Sequence, residues 1–333
     1  MRNYSIAVVI PAYNTELYIC DALDSIIQQS RRPEQIIIVD DGSTDHTVER
    51  IHNWQRQYNG ELCLLQQSHS GVSAARNTGI QHTTADLIAF LDADDLFLSH
   101  HLEQLERAFK NHPDLVLAFG DTEHFDSQQV LTMSLLDGRG IGDVKNGQED
   151  GFRLIHRSAY ISLVGGNYIL PSSAMCSRNA LERVGFFDTS LRNAEDRDLW
   201  LRLSRIGLFA CYPHVITKKR RHAANLTHPR HGEQTLISQF MMLQKMLDHA
   251  EELELSVTER QKTQEAMAEH IQTMLYSASR NGLNAYVKTC VYLVRHNKIS
   301  SVCNPRHFLR ALWRLVNGSI TALIGERHVS PFG

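Results

Sequence analysis

The chain has 333 residues, of which 42% are hydrophobic and 21% charged, with 34 basic against 37 acidic side chains; this is the composition of a folded globular protein and not of a disordered one. At about 150 residues per domain the length predicts one large domain with an appendage, or two domains. A formal net charge of -3 gives no global attraction to nucleic acid, so none is expected as a partner.

The cysteines Cys20, Cys63, Cys176, Cys211, Cys290 and Cys303 are scattered, with no Cys-x-x-Cys pair to open a zinc or redox site. They read as reduced thiols of a cytoplasmic protein. Met1-Arg2-Asn3 leads straight into a strand pattern, and no apolar run approaches the ~18 residues of a membrane span. Secretion and integral membrane insertion are not expected.

Over residues 1–120, apolar runs of strand length alternate with longer amphipathic stretches, the pattern of a parallel sheet flanked by helices. A strand is predicted over 4–10, ending at Pro11, followed by a helix with Leu17, Ala22, Leu23, Ile26 and Ile27 on one side. The run 35–39 is apolar on both faces, as a central parallel strand should be, and stops at Asp40-Asp41-Gly42. Then come a helix over 44–58, a strand over 62–65, a helix over 72–81, a strand over 87–91, a helix over 102–112 and a strand over 115–119. The period is lost from 121 to 150, where four glycines punctuate a polar stretch read as a hairpin or long loop. A strand is predicted over 172–177, helices over 179–184 and 196–206, and one or two strands over 208–217. Beyond about residue 232 the chain reads as helix, notably over 236–255 and 258–279. These elements make an α/β fold with a doubly wound, mostly parallel sheet over 1–230, divided at about 120, and a helical region over 231–333.

In an open α/β sheet, ligands bind beyond the carboxyl ends of the strands. Three polar clusters fall there: Pro11-Ala12-Tyr13-Asn14, Asp40-Asp41-Gly42-Ser43 and Asp92-Ala93-Asp94-Asp95. Turn and cap chemistry accounts for Ser43, Thr44 and Ser99. Three carboxylates in one turn repel each other unless a cation or strong donors offset the charge, which favours a bound divalent metal. Mg²⁺ or Mn²⁺ at a nucleotide site is held by one or two carboxylates with phosphate oxygens and water, so the expected ligand is a diphosphate. Neither a P-loop nor a G-x-G-x-x-G follows the first strand, leaving metal and side chains to hold the phosphates, with Arg76 the nearest cation.

Four strings, Val9-Ile10-Pro11-Ala12-Tyr13-Asn14, Val39-Asp40-Asp41-Gly42-Ser43-Thr44-Asp45, Gly71-Val72-Ser73-Ala74-Ala75-Arg76-Asn77-Thr78-Gly79 and Phe90-Leu91-Asp92-Ala93-Asp94-Asp95, stand in the order and spacing of family 2 glycosyltransferases, which the chain resembles over about residues 4–222. The resemblance implies a GT-A fold and inversion at the anomeric carbon. It implies that Pro11, Ala12 and Tyr13 line the base and that Asp41 accepts its imide N–H; Asp40 ranks below Asp41, since it could equally be a structural cap. Arg76 would lie near base and phosphates unless it is a surface helix arginine, Asp92 near the ribose, and Asp94 on the metal, with Asp95 behind it. Glu195-Asp196, opening a predicted helix, looks like the family's E-D motif, whose Asp is the catalytic base; an acidic pair at a helix N-terminus also complements the dipole. His222, after Lys218-Lys219-Arg220-Arg221, stands where some relatives place a histidine near the metal or diphosphate.

The resulting expectation is a Mn²⁺- or Mg²⁺-dependent inverting transferase that uses a nucleoside-diphosphate sugar, a UDP-sugar first, and a saccharide or lipid-linked acceptor of bacterial surface polysaccharide. Its rivals are a non-catalytic nucleotide-sugar-binding protein and a sugar-phosphate nucleotidyltransferase. Over 305–324, Arg306, Arg310 and Arg314 lie largely apart from Phe308, Leu309, Leu312, Trp313, Val316 and Ile320. That amphipathic pattern suits either the inner face of a membrane or docking on the catalytic domain or a second subunit, and a homo-oligomer stays open.

Overall fold

The computed structural model describes residues 3–126, 129–136, 151–156, 158–222 and 232–296. The first half runs β1 (Ile6–Ala12), α1 (Ile19–Ile27), β2 (Gln35–Asp40), α2 (Thr47–Gln55), β3 (Leu62–Gln66), α3 (Val72–Gln81), β4 (Leu87–Phe90), β5 (Leu96–Phe97), α4 (His101–Asn111) and β6 (Leu115–Phe125). The second runs β7 (Val130–Thr132), β8 (Arg153–Ile155), α5 (Ser158–Gly165), a 3-10 turn (Pro171–Ser173), β9 (Ala174–Ser177), α6 (Arg178–Val184), α7 (Glu195–Leu203) and β10 (Leu208–Arg220). Three helices close it, α8 (Gly232–Asp248), α9 (Val257–Arg280) and α10 (Leu283–Arg295).

The strands form one sheet in the order β3-β2-β1-β4-β9-β6-β10-β5, with β7 beside β6 and β8 beside β10. β1 is parallel to β2 and β4, and β10 is parallel to β6. β9 is antiparallel to both β4 and β6, so those two blocks point the same way. On the main path only β9 and β5 run against the rest.

Alternation along β1 splits the core. Ile6, Val8 and Ile10 pack with α1 and α4 on one face, while Ala7 and Val9 face the other, which continues through α5, α7 and the three closing helices. Glycine at 79 is what lets α3 lie close on β1, since a Cβ there would stand 2.4 Å from Val9 Cγ1. α9 begins at a capping box, Ser256 accepting from Glu259 N while the Glu259 carboxylate accepts from Ser256 N.

Two expectations become more specific. Residues 121–125 extend β6, which pairs antiparallel with β7, so of the hairpin and the long loop the hairpin forms there, with Asp121 and Thr122 buried and aligned with Val215 and Thr217 of β10. The expected strand or strands over 208–217 are a single longer one, irregular in register between Tyr212 and Thr217. The amphipathic stretch 305–324, Cys303 and residues 137–150 lie outside the described residues. Among the described residues no helix is long and apolar enough to cross a membrane.

Candidate active site

Since β1, β2, β4 and β10 run the same way, their carboxyl ends share one edge of the sheet. β9 runs against them, so the 3-10 turn before it arrives at that same edge. This brings Ser172 to the 92–95 turn: its Oγ accepts from Asp92 N at 3.0 Å and donates to Asp95 Oδ2 at 2.7 Å. Asp95 Oδ1 accepts from Arg220 N at 3.0 Å. Asp95 is 1% exposed; burial pushes its carboxyl up to about 8, with Lys219 opposing and Asp94 and Asp92 adding to the rise. Asp94 instead stays partly exposed, with Oδ2 2.8 Å from His222 Nε2, and the His222 ring stacks on Tyr18 at 4.7 Å. The structure thus brings Asp94 and His222 together across 128 residues.

At the nucleoside end, Asp41 N donates to Ala12 O at 2.8 Å, joining the ends of β1 and β2. Asp41 is 3% exposed. Its carboxylate accepts from Gln67 Nε2, Ser70 N and Gly71 N at 2.7–2.8 Å, and His69 Nδ1 lies 2.9 Å away. Through these contacts Asp41 clamps the 67–71 loop. Gly42, at φ +76°, turns the chain against that loop, where a Cβ would meet His69 N at 3.1 Å. Asp40 is buried and accepts from Ser43 N at 3.3 Å, as a cap should. Pro11 and Ala12 are buried strand residues, whereas Tyr13 is 44% exposed and stacked on His69 at 4.2 Å. Of the three residues expected along the base, Tyr13 alone presents its side chain.

Arg76 is no surface arginine. It is 2% exposed, its NH2 group donating to Asp92 Oδ1 at 2.7 Å and its NH1 to Glu195 Oε1 at 2.8 Å, with the guanidinium carbon 5.2 Å from the Phe187 ring centre. Burial alone would lower its pKa; Asp92 and Glu195 hold it above the ordinary value. Asp92, raised by burial, is brought below the usual carboxylate range by Arg76 and Lys219.

Across the bridge, α7 opens on Glu195 and Asp196 after Ala194, a non-glycine residue at φ 63°, a conformation seldom adopted outside sites that require it. Burial, then the neighbouring Asp196 charge, pushes Glu195 up to about 7 against Arg76. Burial likewise raises Asp196. Asp196 Oδ2 accepts from Asn167 Nδ2 at 2.7 Å and Oδ1 from Arg197 N at 2.6 Å.

Sequence reasoning misses four contributors: Ser172, Asn167, His69 and Lys219. Ser172, Asn167 and His69 carry no local signal. Lys219 does, since a run of four basic residues ending at the edge of a sheet that gathers carboxylates is out of place as ordinary surface. Burial would lower its pKa, but Asp95, Asp92, Asp94 and Asp196 together raise it.

Among the described residues no three His, Cys, Asp or Glu side chains form a protein-only metal cage. Asp94 and His222 offer a partly exposed oxygen and nitrogen at the carboxyl edge of the sheet. Two protein ligands with the other positions left to phosphate and water fit a nucleotide-bound Mg²⁺ or Mn²⁺.

A mainly parallel α/β sheet with flanking helices, acidic turns gathered at its carboxyl edge and a helical C-terminal region defines the glycosyltransferase architecture known as GT-A. Residues 7–161 of the chain match the model of Glycosyl transferase family 2. It is similar to an uncharacterised glycosyltransferase of Rickettsia prowazekii, 28% identical over 224 residues, which are 67% of this chain and 66% of that one. The chain spans about two thirds or less of the length of such relatives. Among solved structures, S. aureus TarS 1-349 in complex with UDP is 18% identical, with a TM-score of 0.54 over 83% of this chain and 73% of that one. Mannosyltransferase PcManGT from Pyrobaculum calidifontis, in complex with GDP-Man and Mn²⁺, is 17% identical, with a TM-score of 0.53 over 94% of this chain and 87% of that one.

Proposed function

We propose that the protein is a metal-dependent inverting glycosyltransferase. It moves a sugar from a nucleoside diphosphate, UDP first among the candidates, to a hydroxyl of a saccharide or lipid-linked acceptor, in the making of bacterial surface polysaccharide. The observation that carries this reading is the Arg76 bridge. One buried guanidinium holds Asp92 of the acidic turn and Glu195 of the E-D pair, so the donor end and the candidate base belong to one site. A UDP complex of TarS and a GDP-Man and Mn²⁺ complex of PcManGT support a nucleotide-sugar donor.

In this reading Tyr13 stacks on the base and Asp41 fixes the loop beneath it, while Asp92, held by Arg76, stands toward the ribose. Asp94 and His222 are the residues that would hold Mn²⁺ or Mg²⁺, which supplies Lewis-acid stabilisation of the charge on the departing diphosphate. Asp196 takes the acceptor hydroxyl's proton while that oxygen attacks the anomeric carbon from the side opposite the diphosphate. One displacement inverts the centre without a covalent intermediate. A carboxylate raised toward neutrality by burial is a better proton acceptor than one near its ordinary value, and Asn167 and the Arg197 N–H fix its orientation. Residues 1–230 are the catalytic unit in this reading, with the helices from 231 onward bracing α7.

The test is release of nucleotide from a panel of UDP-, dTDP- and GDP-sugars with Mn²⁺, with and without saccharide acceptors. Nucleoside diphosphate release above background supports a transferase. Tight binding without turnover points to a sugar-nucleotide binder, and pyrophosphate release in a separate assay with a nucleoside triphosphate and a sugar 1-phosphate to a nucleotidyltransferase.

A further inference from the structure

Resting on the donor reading above, we propose that Lys219 is a diphosphate-binding residue, a cation built into the chain between the 92–95 turn and Asp196 that meets the donor's phosphates independently of any metal.

Its place follows from β10. Side chains alternate across a strand, and Lys218 points to one face, where its Nζ meets Glu123 at 2.6 Å. Lys219 therefore faces the other way. The strand is fastened on both sides of it to the acidic turn and its support. Thr217 Oγ1 donates to Ser172 O at 3.1 Å, Arg220 N to Asp95 Oδ1 at 3.0 Å and Arg220 Nε to Asp94 O at 3.1 Å, and His222 meets Asp94. Lys219 thus stands on a short, pinned span of backbone with Asp92, Asp94, Asp95 and Asp196 around its ammonium.

A lysine serving only as counter-ion to these carboxylates would close a charge-assisted hydrogen bond of about 2.7–2.9 Å with one of them. None is formed: among the described residues Lys219 Nζ has no ion pair within 4.0 Å and no hydrogen bond, so three N–H donors remain unspent. The neighbouring cations are committed, Arg76 to Asp92 and Glu195, Lys218 to Glu123 and Arg220 to Asp21. A diphosphate entering a site lined by carboxylates meets repulsion that these paired cations do little to relieve, and an unspent ammonium relieves it directly.

The experiment is isothermal titration of the native chain, Lys219→Met, Lys219→Gln and Lys219→Arg with UDP and uridine, and with GDP and guanosine, each in EDTA and in Mn²⁺. Thermal melting of each variant shows that it is folded. In EDTA the native protein should bind the matching diphosphate more tightly than its nucleoside. Lys219→Met and Lys219→Gln should lose roughly 10- to 100-fold of that diphosphate affinity, the effect of one charged hydrogen bond, and leave nucleoside affinity unchanged. Lys219→Arg should recover most of the loss. Native protein that binds the diphosphate in Mn²⁺ but no better than the nucleoside in EDTA overturns the inference and leaves the donor reading standing. So do neutral variants with native diphosphate affinity, or equal losses for nucleoside and diphosphate. Native protein that binds neither diphosphate under either condition overturns the donor reading and this inference with it.

Discussion

The two halves of the site treat their carboxylates differently, with Asp95 the exception, since burial raises it on the donor side as it raises the E-D pair. On the donor side, Asp41 is engaged by the 67–71 loop, Asp92 is paired with Arg76, and Asp95 is capped by Ser172 and the Arg220 N–H. Asp94 beside His222 is the carboxylate of that turn placed to meet a ligand. On the α7 side, Glu195 and Asp196 are adjacent and buried, and burial outweighs Arg76, Asn167 and the Arg197 N–H, so both are raised. Fixed charge suits a half that must position phosphates and a nucleoside; a half that must move a proton needs a carboxylate whose proton affinity lies near neutral. Arg76 pairs directly with a carboxylate of each half.

Cutting that connection should give the largest effect. Arg76→Ala leaves buried Glu195 and partly buried Asp92 without their cation, and breaking a buried pair from one side costs about 3–5 kcal/mol. Chemical denaturation should show a loss of that order, with Arg76→Lys intermediate because one ammonium cannot reach both carboxylates with the same fork. A loss below about 1 kcal/mol, the scale of an exposed pair, would mean the bridge does not join the halves.

Asp196→Asn should slow turnover by ~100-fold or more, the range for losing a general base, and leave donor affinity nearly untouched. Rates and donor titration measured together separate the two halves. A variant with native turnover removes Asp196 as the base, and one that loses donor affinity instead puts it on the donor side.

Neighbouring carboxylates of the acidic turn should part next. Asp94→Ala should weaken Mn²⁺ activation and donor affinity together, while Asp95→Asn, whose amide can still accept from Arg220 N, should keep a near-native Mn²⁺ response. Identical Mn²⁺ titrations for the two variants would contradict the difference in their surroundings.

The smallest effects should appear in pH profiles. Proton acceptance requires the E-D pair ionised, so kcat/KM should rise with pH through about 7, a limb that belongs to the pair rather than to either member. Glu195→Gln removes the adjacent like charge and should move the limb to lower pH. Stability has the opposite slope. Asp95 and Glu195 hold protons in the fold up to about 8 and about 7, whereas unfolded carboxyls lose them near 4. Their contribution is complete below about pH 4 and declines as pH rises through the folded values. Asp95→Asn should flatten that decline in melting temperature between pH 5 and 9.

Motifs made of consecutive residues were legible from sequence because turn chemistry and strand periodicity are local. The acidic turns at 40–43 and 92–95, the helix at 72–81 and the pair at 195–196 all fall where the pattern puts them. Arg76 was placed near the phosphates, and its bridge to Glu195, 119 residues away, has no local trace. Ser172 reaches the site only because β9 enters the sheet backwards, a choice made by packing. α5, Ser158–Gly165, is so uniformly apolar that period alone does not separate it from a buried strand. Asp121 looked like a loop residue by type, yet its carboxylate is occupied by the N–H groups of Thr122, Leu135 and Leu136, which makes a buried strand position tolerable.

The buried cluster shared by α7 and the closing helices bears on how such chains can be recombined. Trp200 is fully buried in a cluster that also holds Phe240, Met267 and Ile271. Asp198 of α7 meets Lys245 of α8 at 3.0 Å, and Arg205, just past α7, meets Glu259 of α9 at 2.6 Å. A catalytic cassette cut at residue 231 would therefore carry a raw apolar wound on the back of the helix that bears Asp196. Chimaeras that exchange acceptor preference should be spliced so that α7 travels with its own α8 and α9, and a graft of the C-terminal helices alone should be recovered mostly as aggregate.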